Sequence, residues 1–152
     1  MDLKFRVFAH IAKPVHEVFE AVADPRQLSN YFTTGGAVGR LESGATVTWD
    51  FKDFPGAFPV HVEEVVPNER IVLHWKAQDG GEPGPAYDTT VTMGFKAVDG
   101  GRTLVEIAEE GWLETAGGPK ASYGNCMGWS QMICALKAWV EHGLNIREGM
   151  YK

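Results

Sequence analysis

Residues Gly124 to Gly143 read GNCMGWSQMICALKAWVEHG, and they form the one long helical pattern in the chain. Large apolar residues recur in this stretch at the i, i+3, i+4 and i+7 spacing that places side chains on one face of a helix. These residues are Trp129, Met132, Ile133, Leu136 and Val140. An apolar helix face has to be buried against another element. The pattern therefore predicts a long C-terminal helix, beginning at the N-cap Ser122, that lies on a sheet.

The residues before this helix alternate between apolar and polar, with turn residues at intervals, which is typical of strands. We expect strands over 4–11, 38–41, 46–52, 58–66, 70–77, 87–98 and 102–110. Two short helices are expected after the first strand, over 15–23 and 26–31, and a surface loop rich in Gly and Pro over 78–86. Because the strands come in a run bounded by helices, the order predicts an α+β fold and not a doubly wound parallel sheet.

Composition indicates one domain that spans residues 1–152. A chain of 152 residues with 44% hydrophobic and 22% charged residues is long enough for one packed core. The net charge of -6 and the lack of any Lys or Arg run argue against a nucleic-acid partner. The N-terminus has no signal-peptide pattern, and no apolar run reaches membrane-spanning length. We expect a soluble cytoplasmic protein without a membrane span.

Neither the cysteines nor the histidines predict a metal or a cofactor. Cys126 and Cys134 would lie about 12 Å apart along the helix, too far for a disulfide, so we expect small residues at the edge of the core. His61 and His74 should point to the outer face of the sheet, with His74 opposite Glu63. No spacing of His, Cys and carboxylate residues is typical of a metal site, and no cofactor-binding glycine motif is present.

The last hairpin places a carboxyl group on an otherwise apolar face. Symmetric pairing about the turn 99–101 sets Met93 opposite Ile107 and Val91 opposite Glu109. Apolar surroundings disfavour a charged carboxylate, so Glu109 is a candidate catalytic acid or base. The alternative is that Glu109 lies in water at a frayed strand end, since Glu is seldom buried without a partner.

Several segments in this order resemble one family. They are 14–25 with its aspartate–proline step, 62–75, 101–107, Gly111-Trp112 and Gly128-Trp129. The chain resembles the Activator-of-Hsp90-ATPase homologue-like group of the START-like (SRPBCC, Bet v-type) helix-grip superfamily. The resemblance implies a curved seven-stranded antiparallel sheet wrapped around the C-terminal helix, with a cavity for an apolar or amphipathic small molecule. The eukaryotic co-chaperones of this group carry an additional N-terminal domain that binds Hsp90. This chain begins at the first strand, so we do not expect Hsp90 activation.

A cavity of this kind needs an apolar lining and a few polar groups. Tyr31, Phe32 and Trp112 are candidates for its mouth, while Leu136 and Val140 should seal the core. The candidate ligand-binding residues are Tyr31, Phe32, Trp49, Phe51, Leu73, Trp75, Met93, Phe95, Ile107, Glu109, Trp112, Trp129, Met132 and Ile133. For each of them, a place in a packed core is the alternative.

Three functions remain open from the sequence. The first is binding of a hydrophobic or amphipathic small molecule without catalysis. The second is an enzyme of the cyclase, dehydratase or hydrolase kind that uses Glu109 as its carboxylate. The third is a stress-related module that contacts a chaperone. A homodimer through the exposed loops is possible in each case.

Overall fold

The computed structural model describes residues 2–77, 84–115 and 117–152. The strands are β1 (Lys4–Ile11), β2 (Gly36–Val38), β3 (Thr46–Phe51), β4 (Phe54–Val66), β5 (Arg70–Lys76), β6 (Asp88–Val98) and β7 (Arg102–Glu110). The helices are α1 (Val15–Ala23), α2 (Pro25–Leu28) and α3 (Gly118–His142). The predicted loop over 78–86 falls mostly outside the described residues.

The seven strands form one antiparallel sheet in the order β1-β7-β6-β5-β4-β3-β2. Each strand from β2 to β6 pairs with the next strand along the chain, and β1 pairs with β7 at the end of this run. The sheet wraps around α3, with α1 and α2 following β1. The predicted α+β helix-grip fold is therefore confirmed, and among the described helices none is both long and apolar enough to cross a bilayer.

The core lies between the inner face of the sheet and α3. Alternate residues of the central strands are buried, as the period-two pattern requires. From α3, Trp129, Met132, Ile133 and Leu136 are buried against them, while Val140 is half-buried at the edge of the same cluster. Each fully buried side chain of this size contributes about 1.5–3 kcal/mol through removal of apolar surface from water.

Two short elements differ from their predicted bounds. The second helix ends at Leu28 and does not reach Tyr31, because Ser29 is its C-cap and the chain then turns, with the N–H groups of Phe32 and Thr33 both donating to the Leu28 carbonyl. The second strand covers Gly36–Val38 instead of 38–41, since it pairs with β3 only as far as Val38 and Gly39 follows with a φ of 98°.

Two long elements begin earlier than predicted. β4 starts at Phe54, where it continues the hairpin from β3, instead of at residue 58. α3 starts at Gly118, with Pro119 in its first turn, where proline's missing N–H costs nothing. Ser122 is therefore inside the helix and not its N-cap, and its hydroxyl donates to the Pro119 carbonyl at 2.7 Å.

A bulge alters the pairing between β4 and β5. The register shifts between Val62 and Glu64, so His74 has His61 as its backbone partner and not Glu63 as predicted. The side chains of His74 and Glu63 nevertheless meet, with 2.7 Å between Nε2 and Oε2. Within the described ranges, no cluster of three His, Cys, Asp or Glu residues could hold a metal ion.

Both cysteines are free, and they differ in exposure. Cys126 is half-buried, which fits the predicted edge of the core. Cys134 is exposed, so that prediction is wrong for it. The reason is its place on α3: Ile133 and Leu136 take the inward face, and Cys134 lies on the opposite side.

Candidate functional site

A cavity of about 1020 Å³ lies between the first half of α3 and the ends of β3, β4 and β5. Its walls are mainly aromatic and sulfur-containing side chains from the sheet, the helix and the C-terminal segment. They include Phe32, Phe51, Phe54, Phe58, Trp75, Met127, Trp129, Met132 and Tyr151. Phe54 and Met127 are 52% and 53% exposed. The cavity therefore opens to solvent between the β3–β4 hairpin and α3.

Two glycines of α3 leave room for this cavity. Gly124 and Gly128 both line it, and they share one helix face because they are four residues apart. A Cβ atom built on either glycine would have no atom within 4 Å. Glycine inside a helix costs about 1 kcal/mol relative to alanine, so both positions give up helix stability and leave open space in return.

The aromatic side chains of the wall form one contiguous surface. Trp129 of α3 lies 5.3 Å from Trp75 of β5 and 5.5 Å from Phe32, measured between ring centroids. Trp75 is in turn 6.0 Å from Phe58 of β4. Pairs at these separations contribute about 0.5–1.5 kcal/mol each beyond burial alone. The sheet and the helix are thus joined at the wall by ring contacts.

Glu109 lies behind this wall and is completely buried. It pairs with Val91 across the β6–β7 hairpin, so the predicted register and inward direction are confirmed. The alternative of a frayed strand end in water is wrong, because β7 continues to Glu110 and pairs with both of its neighbours there.

Four side chains donate hydrogen bonds to the Glu109 carboxyl group. Oε1 accepts from Trp129 Nε1 at 2.7 Å and from Asn125 Nδ2 at 3.1 Å. Oε2 accepts from Thr89 Oγ1 at 2.8 Å, and from Trp75 Nε1 and Asn125 Nδ2 at 3.0 Å each. A carboxylate has about four acceptor sites. Both oxygens are therefore fully engaged inside the protein.

The position of Glu109 bears on the catalytic role expected for it. The residue does not line the cavity, whereas Trp75, Asn125 and Trp129, which donate to it, do. A general base has to come within hydrogen-bond reach of the proton that it removes. Glu109 instead fixes the orientation of two indole rings and one amide in the wall, since an indole N–H can only donate.

The C-terminal segment borders the cavity and is held there by an ion pair that was not predicted from the sequence. The Arg147 guanidinium donates to both carboxylate oxygens of Asp53, at 2.7 and 2.9 Å. It also lies 5.6 Å from the Phe51 ring centroid and 4.6 Å from that of Tyr151. Both charged side chains are more than nine-tenths buried. These hydrogen bonds hold the pKa of Asp53 below its usual value, against the effect of burial.

Only some of the predicted ligand-binding residues border the cavity. Those that do are Phe32, Phe51, Trp75, Trp129 and Met132. The others are buried in the core or behind the wall: Tyr31, Trp49, Leu73, Met93, Phe95, Ile107, Glu109, Trp112 and Ile133. Phe95, for example, packs edge-on against Phe19 of α1, with 5.4 Å between centroids. Helix α1 thus covers the part of the sheet that the cavity does not reach.

All three residues predicted at an exposed mouth are buried instead, and of these only Phe32 borders the cavity. Tyr31 has no exposed surface and donates its hydroxyl to the Ala21 carbonyl at 2.9 Å, and burial raises its pKa well above the usual value. Trp112 is 5% exposed and stacks near Phe5 of β1, with 5.6 Å between centroids. Both aromatic rings therefore stabilise the fold away from the cavity.

Asn125 borders the cavity but is not among the residues predicted from the sequence. This residue continues the apolar stripe of α3, four positions before Trp129, and a polar residue at such a place could have been found by extending the helical spacing. No comparable signal exists for Asp53 and Arg147, because 94 residues separate them.

Comparison with known proteins gives the family and the fold. The family model for Activator of Hsp90 ATPase homolog 1-like protein matches residues 12–141. Protein SSP2350 from Staphylococcus saprophyticus is 26% identical, with a TM-score of 0.75 over 97% of this chain and 96% of that one. DynU16, from the dynemicin biosynthetic locus, is 24% identical, with a TM-score of 0.79 over 97% of this chain and 50% of its own.

A third neighbour is the Aha1 dimer from Colwellia psychrerythraea, which is 20% identical, with a TM-score of 0.73 over 92% of this chain and 97% of its own. No functionally curated protein matches the sequence. The family model covers most of the chain, and the solved structures share the seven-stranded helix-grip architecture described above. The chain belongs to the family of Activator of Hsp90 ATPase homolog 1-like proteins.

Proposed function

We propose that the protein binds a hydrophobic or amphipathic small molecule in the cavity between the sheet and the first half of α3. The observation that carries the proposal is an aromatic cavity of about 1020 Å³ beside two helix glycines. Small-molecule sites have volumes of roughly 300–1,000 Å³ and combine an apolar lining with a few placed polar groups. This cavity has that size and that lining.

The rigidity of the wall also favours binding. Trp75 and Trp129 are held by their hydrogen bonds to Glu109 and cannot rotate into the cavity without leaving that carboxyl group unpaired. A preformed site loses less conformational entropy when a ligand arrives. Aromatic surface at an open mouth is also costly without an occupant.

The geometry supports binding over acid–base catalysis by Glu109. The carboxyl group is saturated with internal donors and lies behind the wall residues. Substitution of Glu109 by glutamine would test the catalytic alternative directly if a substrate were found. Loss of turnover with binding preserved would restore that alternative.

A direct test of binding uses N-phenyl-1-naphthylamine, an uncharged dye whose fluorescence rises on transfer to an apolar site. Gly128→Leu should place an isobutyl group in the cavity and weaken dye binding by roughly tenfold or more. The matched control is Cys134→Leu, which adds a similar side chain to the exposed side of the same helix. Dye binding that is absent in the wild type, or equal in both variants, would contradict the proposal. Native mass spectrometry of the purified protein would identify a retained ligand.

The remaining predictions about partners and location need separate measurements. The Colwellia psychrerythraea neighbour is described as a dimer, and light scattering coupled to size exclusion would measure whether this chain also forms one. The expectation that the protein does not activate Hsp90 can be checked with an Hsp90 ATPase assay. Fractionation of the source cells would test the predicted cytoplasmic location.

A further inference from the structure

Asn125 is a polar residue at an inward position of α3. It lies four residues before the buried Trp129, is itself half-buried and lines the cavity. Amide groups lose favourable interactions with water when they are buried, unless hydrogen bonds replace them. The presence of an amide here therefore calls for partners on both its nitrogen and its oxygen.

Glu109 determines which end of the amide faces the protein. Asn125 Nδ2 donates to both carboxyl oxygens, at 3.1 and 3.0 Å. Each of these oxygens also accepts from an indole N–H, Oε1 from Trp129 and Oε2 from Trp75. Both Glu109 oxygens act as acceptors, so the Asn125 group that faces them has to be the donor, Nδ2. The reverse orientation of the amide would place Asn125 Oδ1 against the Glu109 oxygens with no hydrogen between them.

The amide oxygen is consequently left for the cavity. Among the residues that the structure describes, none donates to Asn125 Oδ1. This oxygen is also not one of the enclosed side-chain atoms without a partner, so it remains accessible. Of the other polar side chains that border the cavity, Arg147 is paired with Asp53, Tyr151 with Gln131 and His61 with Thr46, and the remaining two, Lys76 and Asp88, are charged. Oδ1 is therefore a fixed acceptor next to the aromatic surface of Trp75 and Trp129.

We infer that the ligand carries an uncharged hydrogen-bond donor, a hydroxyl or N–H group, on an apolar body, and that this donor binds Asn125 Oδ1. The inference rests on the proposed function, because it names the class of ligand for the same cavity. An anionic group would be repelled at this position by Oδ1 and by the carboxyl group behind it. A cationic group beside Asn125 would lose its hydration, and the Glu109 carboxyl group behind that residue already accepts from four donors.

Three naphthalene probes of similar shape separate the donor from the other properties of a ligand. 2-Naphthol carries a donor and is neutral near neutral pH, 2-methoxynaphthalene carries only an acceptor, and 2-methylnaphthalene carries neither. Binding is measured by quenching of tryptophan fluorescence and by calorimetry on the wild-type protein. We expect 2-naphthol to bind roughly tenfold more tightly than the other two, the value of one good hydrogen bond.

The Asn125→Leu variant should remove this preference while leaving an apolar site of similar volume. We expect the three probes to bind it within about twofold of one another, whereas the Cys134→Leu control keeps the wild-type preference. If Asn125→Leu fails to fold, the relative affinities of the three probes for the wild-type protein still test the inference. Equal binding of all three probes, or of naphthol and its methyl ether, by the wild type would overturn the inference and leave the proposed function intact. Absence of binding by all three would overturn both.

Discussion

Arg147 near the C-terminus and Asp53 in the β3–β4 hairpin form a buried ion pair with two hydrogen bonds, of 2.7 and 2.9 Å. The pair joins segments 94 residues apart at the edge of the cavity. The ring of Tyr151 lies against the same guanidinium, with its centroid 4.6 Å from Cζ. The C-terminal segment is thereby held against the sheet through one charged contact and the aromatic rings around it.

Loss of this guanidinium should destabilise the protein strongly. Arg147→Met removes the partner of Asp53 and leaves a carboxylate without its counter-charge in a buried place. Removal of one member of a buried pair costs about 3–5 kcal/mol. We expect a loss of about 3 kcal/mol in the free energy of unfolding, because the pair borders an open cavity. Urea unfolding followed by tryptophan fluorescence measures it.

The matched control is Arg26→Met, which also breaks a contact between arginine and aspartate. The Arg26 side chain is 90% exposed beside Asp24. Exposed pairs contribute about 0–1 kcal/mol, so this variant should unfold close to the wild type. Similar losses of unfolding free energy in the two variants would show that the buried Arg147–Asp53 pair stabilises the protein no more than an exposed pair does.

The same pair predicts a pH dependence of stability. Hydrogen bonds from Arg147 lower the pKa of Asp53 in the folded protein. A lowered folded-state pKa adds stability at pH values above the unfolded pKa of about 3.9, and this stability is lost as the pH falls through the folded pKa. The wild type should therefore lose stability in acid, and the difference between wild type and Arg147→Met should shrink there.

Urea unfolding of both proteins between neutral pH and about pH 2.5 tests this expectation. Glu20 and Glu141 also have lowered pKa values, through hydrogen bonds from Arg40 and Lys137. Their contributions are present in both proteins and cancel in the difference. A difference that stays constant down to the lowest pH would mean that the Asp53 pKa is not linked to Arg147.

Local patterns of the sequence were sufficient for most of the fold. Alternation predicts strands that bury one face, and the turn at Asp99–Gly101 fixes the β6–β7 register, because Gly100 and Gly101 take positive φ values of 75° and 69° that glycine adopts readily. The bulge between Val62 and Glu64 escaped prediction, since nothing in the alternation marks which residue is the extra one.

The candidate site was harder to predict because it depends on contacts between distant segments. The parity of β7 placed Glu109 inward, yet its four donors come from β5, β6 and α3. The alternation along a strand also shows only which side chains face inward, and not whether they border the cavity or pack in the core. Met93 and Phe51 both fit the pattern, but only Phe51 borders the cavity, because α1 and α3 cover the rest of the sheet.

Glu109→Gln should lower stability by about 1–3 kcal/mol, even though the two side chains have nearly the same shape. In either orientation, the glutamine amide nitrogen would face an indole N–H, that of Trp129 or that of Trp75, and one donor would lose its acceptor. For a chain of this length, each kcal/mol lowers the melting temperature by about 2–4 °C. Thermal unfolding followed by circular dichroism measures the shift.

Glu110→Gln is the control for this prediction. Glu110 is the next residue of β7, and its side chain is exposed. The substitution should change stability by less than about 0.5 kcal/mol, as exposed substitutions usually do. A Glu109→Gln protein as stable as Glu110→Gln would contradict the hydrogen-bonded arrangement around the buried carboxyl group.

The glycines of α3 should respond to alanine in opposite directions. Gly124→Ala should stabilise the protein by about 0.5–1 kcal/mol, because alanine favours the helix and its Cβ would meet no atom within 4 Å. Gly118→Ala should destabilise it by about 1–3 kcal/mol, since the new Cβ would lie 2.0 Å from the Leu113 carbonyl oxygen and the backbone must move. Urea unfolding of the two variants measures the change in the free energy of unfolding, which should be an increase for Gly124→Ala and a decrease for Gly118→Ala. Destabilisation by Gly124→Ala would show that the space beside the helix is closed in solution, and the proposed cavity would then lose its main support.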